Sequence, residues 1–203
     1  MREIFGVTGG TGCGKTTFLK VLAEQGFLTI DCDALYHDLL RENAAMLAAI
    51  GAAFPGTVVG GSLQRKALGQ IVFADPAALE ALSAITDPFV DAAVEALLAA
   101  HPAQNAAIDA IRLFESGIAR RCSRTFAVTA PVETRVKRLM AREGIGEDYA
   151  RLRIAAQPSD ELFQAKCDTV LVNDFPTKEE FAAYCRTVLK SLPLRGGGIG
   201  ASR

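Results

Sequence analysis

At 203 residues, half of them apolar, the chain is long enough for one α/β core with a small inserted domain and too short for two large ones. Its formal net charge of −1 gives no general electrostatic pull toward nucleic acid or an anionic membrane, so any basic site has to be local. Five scattered cysteines (Cys13, Cys32, Cys122, Cys167 and Cys185), odd in number and without CxxC spacing, argue against a disulfide framework or a zinc site and fit a reducing cytosol.

Met1-Arg2-Glu3 leads directly into the short apolar strand IFGVT (Ile4 to Thr8), which leaves no room for a signal peptide. No run reaches the roughly 18 apolar residues of a membrane span, so a cytoplasmic protein away from membranes is expected. Residues 9–17 then read GGTGCGKTT, in which Gly9, Gly14, Lys15 and Thr16 fit GxxxxGKT, a loop that clasps a nucleoside triphosphate. Glycines let successive backbone N–H groups turn inward around phosphate, Lys15 reaches the β and γ oxygens, and the Thr16 hydroxyl is a ligand for Mg²⁺. Gly10, Thr11, Gly12, Cys13, Gly14, Lys15, Thr16 and Thr17 are the expected nucleotide-binding residues. The plain alternative is a glycine-rich turn with an accidental lysine. Against it, the loop is followed by TTFLKVLAEQG, with Phe18, Leu19 and Leu22 on one helical face and a stop at Gly26, so a helix N-terminus points at the anion. Cys13 occupies a variable loop position. It is oxidisable if the helix terminus lowers its pKa, and it is not read as catalytic.

A second strand, Phe27 to Ile30, runs into Asp31-Cys32-Asp33 at the sheet edge where the loop opens. Asp33 is a candidate to accept or orient the proton of an attacking hydroxyl; an ordinary helix N-cap is the compatible plain reading. From 34 to 104 the chain is rich in Ala and Leu, with breaks at Pro55-Gly56, Gly60-Gly61 and Pro102. It is too long for a simple crossover, and LQRKALGQIVF and PAALEALSAI lack strand alternation, so a helical insertion is expected. It is read either as an acceptor pocket or as a purely structural cap.

The third strand, Ala106 to Ile111, carries Asp109, which resembles the acidic strand end that holds Mg²⁺ in phosphate-loop enzymes or is simply a turn former. Glu115, in LFESG, is a secondary site candidate that alternatively anchors the following helix. Residues 116–142 hold seven basic side chains against the single acid Glu133, while 67–111 hold no Lys or Arg. After a fourth strand, Thr125 to Thr129, a helix begins past Pro131, and on it Arg135, Arg138 and Arg142 share one face. A mobile arginine-bearing helix can close over a triphosphate, exclude water and neutralise developing charge. A solvated face is the alternative, more so for Arg135 than for Arg142. Arg153 and Gln157 extend the same lid. After the fifth strand, Thr169 to Val172, Asn173 is placed to hydrogen-bond an adenine or to form a turn. His37 and His101 have no partner pattern for metal or nucleophilic catalysis. Short apolar strands alternating with helices signal a parallel sheet covered on both faces, with ligands at the carboxyl ends of the strands. The stretch RGGGIGASR has no apolar pattern, and a flexible tail is expected over 193–203.

Taken together, GVTGGTGCGKTT, Asp31-Cys32-Asp33, LQRKALGQIVFADP, LFESG, the arginines of RLMAREG, Arg153 with Gln157 in RIAAQ, and Asn173 fall in an order and spacing that resembles the dephospho-CoA kinase family, within the nucleotide-kinase-like P-loop proteins. The resemblance spans roughly residues 4–175. It implies a three-layer α/β P-loop kinase fold with a five-stranded parallel sheet, a helical substrate-domain insertion and a helical lid. The expected domains are a core of 1–33 and 105–192 including a lid at about 131–160, an acceptor-binding insertion at 34–104, and the tail. It further implies ATP and Mg²⁺ as cofactors and transfer of the γ-phosphoryl to the ribose 3′-hydroxyl of dephospho-CoA. Lys15, Asp33 and Arg142 are then catalytic, Arg138 and Asn173 contact nucleotide, Asp33, Arg65 and Glu115 face the acceptor, and Thr16 and Asp109 hold the metal. A small-molecule substrate, no nucleic acid or membrane partner, and a monomer or weak homo-oligomer are expected.

Two positions depart from the family pattern: Asp87-Pro88 stands where His-Pro is common, and Ile111-Arg112 where Pro-Leu precedes LFE. Rival readings are another small-molecule kinase, acting on shikimate or on a nucleoside or nucleotide, and a nucleotide-dependent switch. The mid-chain triple glycine of shikimate kinases is missing, the only GGG being Gly196 to Gly198, and neither NKxD nor DxxG occurs.

Overall fold

Five short apolar runs become the strands of one parallel sheet in the computed structural model, which describes residues 2–192. The expected tail, 193–203, lies outside these residues. The strands are β1 (Ile4–Thr8), β2 (Leu28–Asp31), β5 (Ala106–Asp109), β6 (Arg124–Thr129) and β7 (Thr169–Val172), in the order β2-β5-β1-β6-β7. Central β1 pairs Ile4 with Ala106 on one side and Phe5 with Arg124 on the other, both in parallel. Hence the loop after β1 and the carboxylate of Asp109 emerge at the same sheet edge, because Val7 is in register with Asp109. The second strand starts one residue later than its apolar run suggests. Phe27 N–H is spent on Leu22 O at the end of the preceding helix, so pairing begins with Leu28 N–H donating to Asn105 O at 2.8 Å.

Two compact units share the chain: residues 2–29, 103–111 and 121–192 form one, and 30–102 with 112–120 the other. In the first, α1 (Lys15–Glu24) and α9 (Lys178–Ser191) bury Phe18, Leu22 and Phe181 with Phe5, Phe126 and Leu171 of the strands. Each fully buried side chain of this size stabilises by roughly 1.5–3 kcal/mol. Phe126 lies 5.0 Å from Phe5 and 5.1 Å from Phe18, ring centre to ring centre. Thr177 and Glu180 form a reciprocal capping box that starts α9. Between β6 and β7 run α6 (Val132–Glu143), α7 (Glu147–Ala155) and α8 (Asp160–Lys166), where a lid is expected. Val136, Leu139, Ala150 and Ile154 pack α6 on α7, and Gly144, with φ of 66°, ends α6.

The second unit contains α2 (Cys32–Glu42), α3 (Ala44–Ala53), α4 (Arg65–Val72) and the 25-residue α5 (Pro76–Ala100), around Met46, Ile50, Leu68 and Leu82. It is not purely helical. The break at Gly60-Gly61 is the turn of a small antiparallel hairpin joining β3 (Val58–Val59) to β4 (Ser62–Leu63), two glycines with positive φ being what a tight hairpin of this kind demands. Arg112–Arg120, expected in the core, group with this unit: Arg112 stands 3.7 Å from both Glu80 and Asp87 of α5. Among the described residues no helix is long and apolar enough to cross a membrane.

Candidate active site

The loop after β1 is built so that its backbone surrounds a space at the N-terminus of α1. Gly14, at the N-cap, has φ of 102°, a conformation that side-chain-bearing residues avoid, and offers no side-chain acceptor for the first helical N–H groups. They remain the positive end of the helix dipole, directed at whatever anion the loop holds. Lys15 folds back across the loop: its Nζ donates to Gly9 O at 2.7 Å and lies 3.9 Å from Asp109 Oδ1. Thr16 is exposed. Lys15 thereby joins the loop to the Asp109 carboxylate.

The arginine face is used differently from the expectation. Arg135, the one most readily read as solvated, is only 3% exposed, and its guanidinium reaches Thr11 O, Gln157 Oε1 and Asp160 Oδ1. Arg138 donates to Gly12 O at 3.3 Å, to Asn173 Oδ1 at 3.2 Å and to Phe175 O at 3.3 Å. Arg142 keeps an exposed head, 3.5 Å from Thr11 Oγ1 and 2.5 Å from Glu143 Oε1. Glu143 also accepts from Arg153, and these two arginines hold its carboxyl below the usual carboxylate range. Of the three arginines, then, Arg142 has the most freedom to meet a ligand, while Arg135 and Arg138 serve the loop itself.

Asn173 is engaged with the loop itself. An adenine contact or a turn is the expectation; the side chain is buried, its Nδ2 donates to Cys13 O at 2.8 Å, and its Oδ1 accepts from Arg138. Glycine at 14 makes this possible, since a Cβ there would lie 2.2 Å from that same Nδ2. Asn173 is a brace for the loop. Proximity in sequence gave no hint of it, because 160 residues separate Asn173 from Cys13.

The condition on which Cys13 would be oxidisable, a pKa lowered by the helix terminus, is not met. The thiol is buried and donates to Gly10 O, and burial pushes its pKa up against the opposing pull of Lys15 and Arg135. Cys122, Cys167 and Cys185 are pushed up as well, to about 12, about 11 and about 12. A group whose folded pKa is raised carries less thiolate at neutral pH than a free cysteine does. In native protein at pH 7.5, iodoacetamide should therefore modify Cys13 far more slowly than in urea, as read by peptide mass spectrometry; equal rates would contradict the burial argument.

The other candidates belong to the second unit. Asp31, not Asp33, caps α2, accepting Ala34 N–H at 3.0 Å. Asp33 follows in the first helical turn, exposed, and is released from capping. Arg65 opens α4 and is exposed, its charge opposing the upward push that burial exerts on the Tyr36 hydroxyl. Glu115 sits in the turn before a short 3-10 helix, Ile118–Arg121. The two departures from the family pattern meet each other: Asp87 and Arg112 pair at 3.7 Å, burial pushing the Asp87 carboxyl up while Arg112 pulls it down. His37 packs its ring 5.7 Å from Tyr36 and is exposed.

Comparison with known proteins follows the same lines. A family model described as dephospho-CoA kinase matches residues 3–179. A dephospho-CoA kinase of Deinococcus radiodurans is 38% identical over 174 residues, covering 84% of each chain. Among solved structures, TT1252 from Thermus thermophilus superposes with a TM-score of 0.77 at 33% identity, over 95% of this chain and 99% of that one. A dephospho-CoA kinase from Campylobacter jejuni gives 0.65 at 27% identity, over 94% and 96%.

Proposed function

The chain belongs to the dephospho-CoA kinase family, and from that premise we propose how its own residues carry out ATP-dependent phosphorylation of the ribose 3′-hydroxyl of dephospho-CoA, the reaction that yields coenzyme A and ADP. One observation carries the reading: the family match runs from the triphosphate loop through Asp33, Arg65, Glu115 and Arg142, so it spans donor and acceptor candidates together.

Phosphoryl transfer demands positioning and charge neutralisation more than covalent chemistry. Gly12 to Thr17 wrap the phosphates with main-chain N–H groups, and Lys15, already held at the loop by Gly9 O, neutralises the β and γ oxygens. Asp33 accepts or orients the proton of the attacking hydroxyl. Arg142 closes from the lid onto the charge that develops on the transferring group. Arg65 and Glu115 contact the acceptor. Oxygen donors of the kind Mg²⁺ prefers are present in the exposed Thr16 hydroxyl and the Asp109 carboxylate, and when bound the ion would offset phosphate charge. Such ions are held by one or two carboxylates plus the substrate's phosphates, and a site with few protein ligands suits that pattern.

The five free cysteines and a formal charge of −1 support a cytoplasmic enzyme that acts on small molecules, without nucleic acid, as a monomer or weak homo-oligomer. Coupled ADP release with Mg·ATP tests the activity, comparing dephospho-CoA, adenosine, AMP and shikimate. Dephospho-CoA alone should stimulate release strongly. No stimulation by it would overturn the reading, and stimulation by shikimate would favour the rival kinase.

A further inference from the structure

Arg135 occupies the first turn of α6, where a charged residue normally faces water, yet its guanidinium is buried and each of its three nitrogens has an acceptor. Nε donates to Thr11 O at 2.9 Å, Nη2 to Gln157 Oε1 at 3.0 Å, and Nη1 to Asp160 Oδ1 at 3.4 Å. Gln157 Oε1 in turn accepts Thr11 N–H at 2.7 Å. The peptide unit of Thr11 is thereby gripped from both sides, its carbonyl by Arg135 and its amide by Gln157. Gly10 leaves the space for this arrangement, since a Cβ there would lie 2.2 Å from Arg135 Nη2, and Gly12 packs on the Arg135 main chain, its own Cβ position 3.1 Å from Arg135 O. A buried ion pair is a poor way to gain stability, because desolvation of both charges offsets their attraction. What the cluster does supply is a fixed main-chain position, immediately before the stretch that wraps the phosphates.

We propose that Arg135 is a positioning residue for the nucleotide: its buried guanidinium, with Gln157 and Asp160, sets the Gly10–Gly12 turn and so the loop's hold on the triphosphate. The inference rests on the reading of this loop as the ATP site. It makes the segment after α7 part of the donor site without requiring it to touch ATP. It also separates the roles of neighbouring arginines on one helix, Arg142 acting on the ligand and Arg135 on the loop. Lysine is no substitute, having one ammonium where three acceptors must be spanned in a fixed fork.

The test is titration of the full-length protein with a non-hydrolysable ATP analogue, alongside steady-state kinetics with dephospho-CoA and thermal melts. Arg135→Met should raise the Kd for the analogue and the KM for ATP by about tenfold or more, the scale of a lost charged hydrogen bond, with the KM for dephospho-CoA unchanged. Arg135→Lys should recover only part of the loss. Gln157→Ala removes the acceptor that Thr11 N–H and Arg135 Nη2 share, on a partly exposed side chain, and should weaken the analogue several-fold. In the Arg135→Met background it should add little. A folded Arg135→Met protein with wild-type affinity, or one with a lowered melting temperature alone, would overturn the proposal, as would unchanged affinity in Gln157→Ala if Arg135→Met does not fold. Failure of the wild-type protein to bind the analogue is a different outcome, and would remove the ATP site itself.

Discussion

Lys15→Ala should lower turnover by about 10²-fold or more, the scale of losing one preorganised charge at a phosphoryl-transfer centre. Its ammonium is held by Gly9 O at 2.7 Å and stands 3.9 Å from Asp109, so it lies at the loop before any ligand arrives. Truncation removes that cation and leaves the Asp109 carboxylate facing phosphate oxygens of like sign. The loss should therefore appear in both kcat and KM for ATP, while KM for the acceptor stays the same. Circular dichroism and a melt are needed to establish that the variant folds. Wild-type kinetics in the folded variant would remove Lys15 from the site.

Asp33→Asn should lower kcat by about 10²-fold or more while leaving ATP affinity intact, as expected for loss of a group that handles a proton and not a phosphate. The substitution is clean because Asp31 already caps α2 through Ala34 N–H. Asp33 is exposed in the first helical turn, and its loss removes only a favourable charge near the helix N-terminus, worth about 0.3–1 kcal/mol. A folded but inactive protein is the specific outcome. Near-normal rates in folded Asp33→Asn would exclude the role assigned to it, and a loss confined to KM for dephospho-CoA would make Asp33 an acceptor contact only.

The sheet and the loop were legible in the sequence because their signals are local. A run such as IFGVT can be buried on both faces, and the glycines of GGTGCGKTT exist for a turn that nearest neighbours determine. β1 and β7 fall at the residues their apolar runs mark, and β2 shifts by one because Phe27 answers to α1. Long-range side-chain bonds carry no such local mark. Helical spacing puts Arg135, Arg138 and Arg142 on one face, but which of them is buried depends on Thr11, Gln157 and Asp160, which periodicity does not bring together. The bond from Asn173 to Cys13 O was illegible for the same reason: a polar residue at a strand end announces a ligand or a turn, not a partner 160 residues away. The cap of α2 falls on Asp31 where Asp33 was the candidate, since either carboxylate suits an N-cap and only the backbone geometry at Asp31 decides. The pairing of Asp87 with Arg112, two departures that look unrelated in the sequence, became visible only when α5 and the segment after β5 were seen side by side.

The central claim is transfer of one phosphoryl group from ATP to one particular hydroxyl. Incubation of the purified protein with Mg·ATP and dephospho-CoA, with ADP quantified and the product identified by mass and phosphorus NMR, tests it most directly. Coenzyme A carrying its new phosphate on the ribose 3′-oxygen, formed in equal amount with ADP, is the expected product. ADP formed without coenzyme A, or phosphate placed elsewhere on the acceptor, would contradict it.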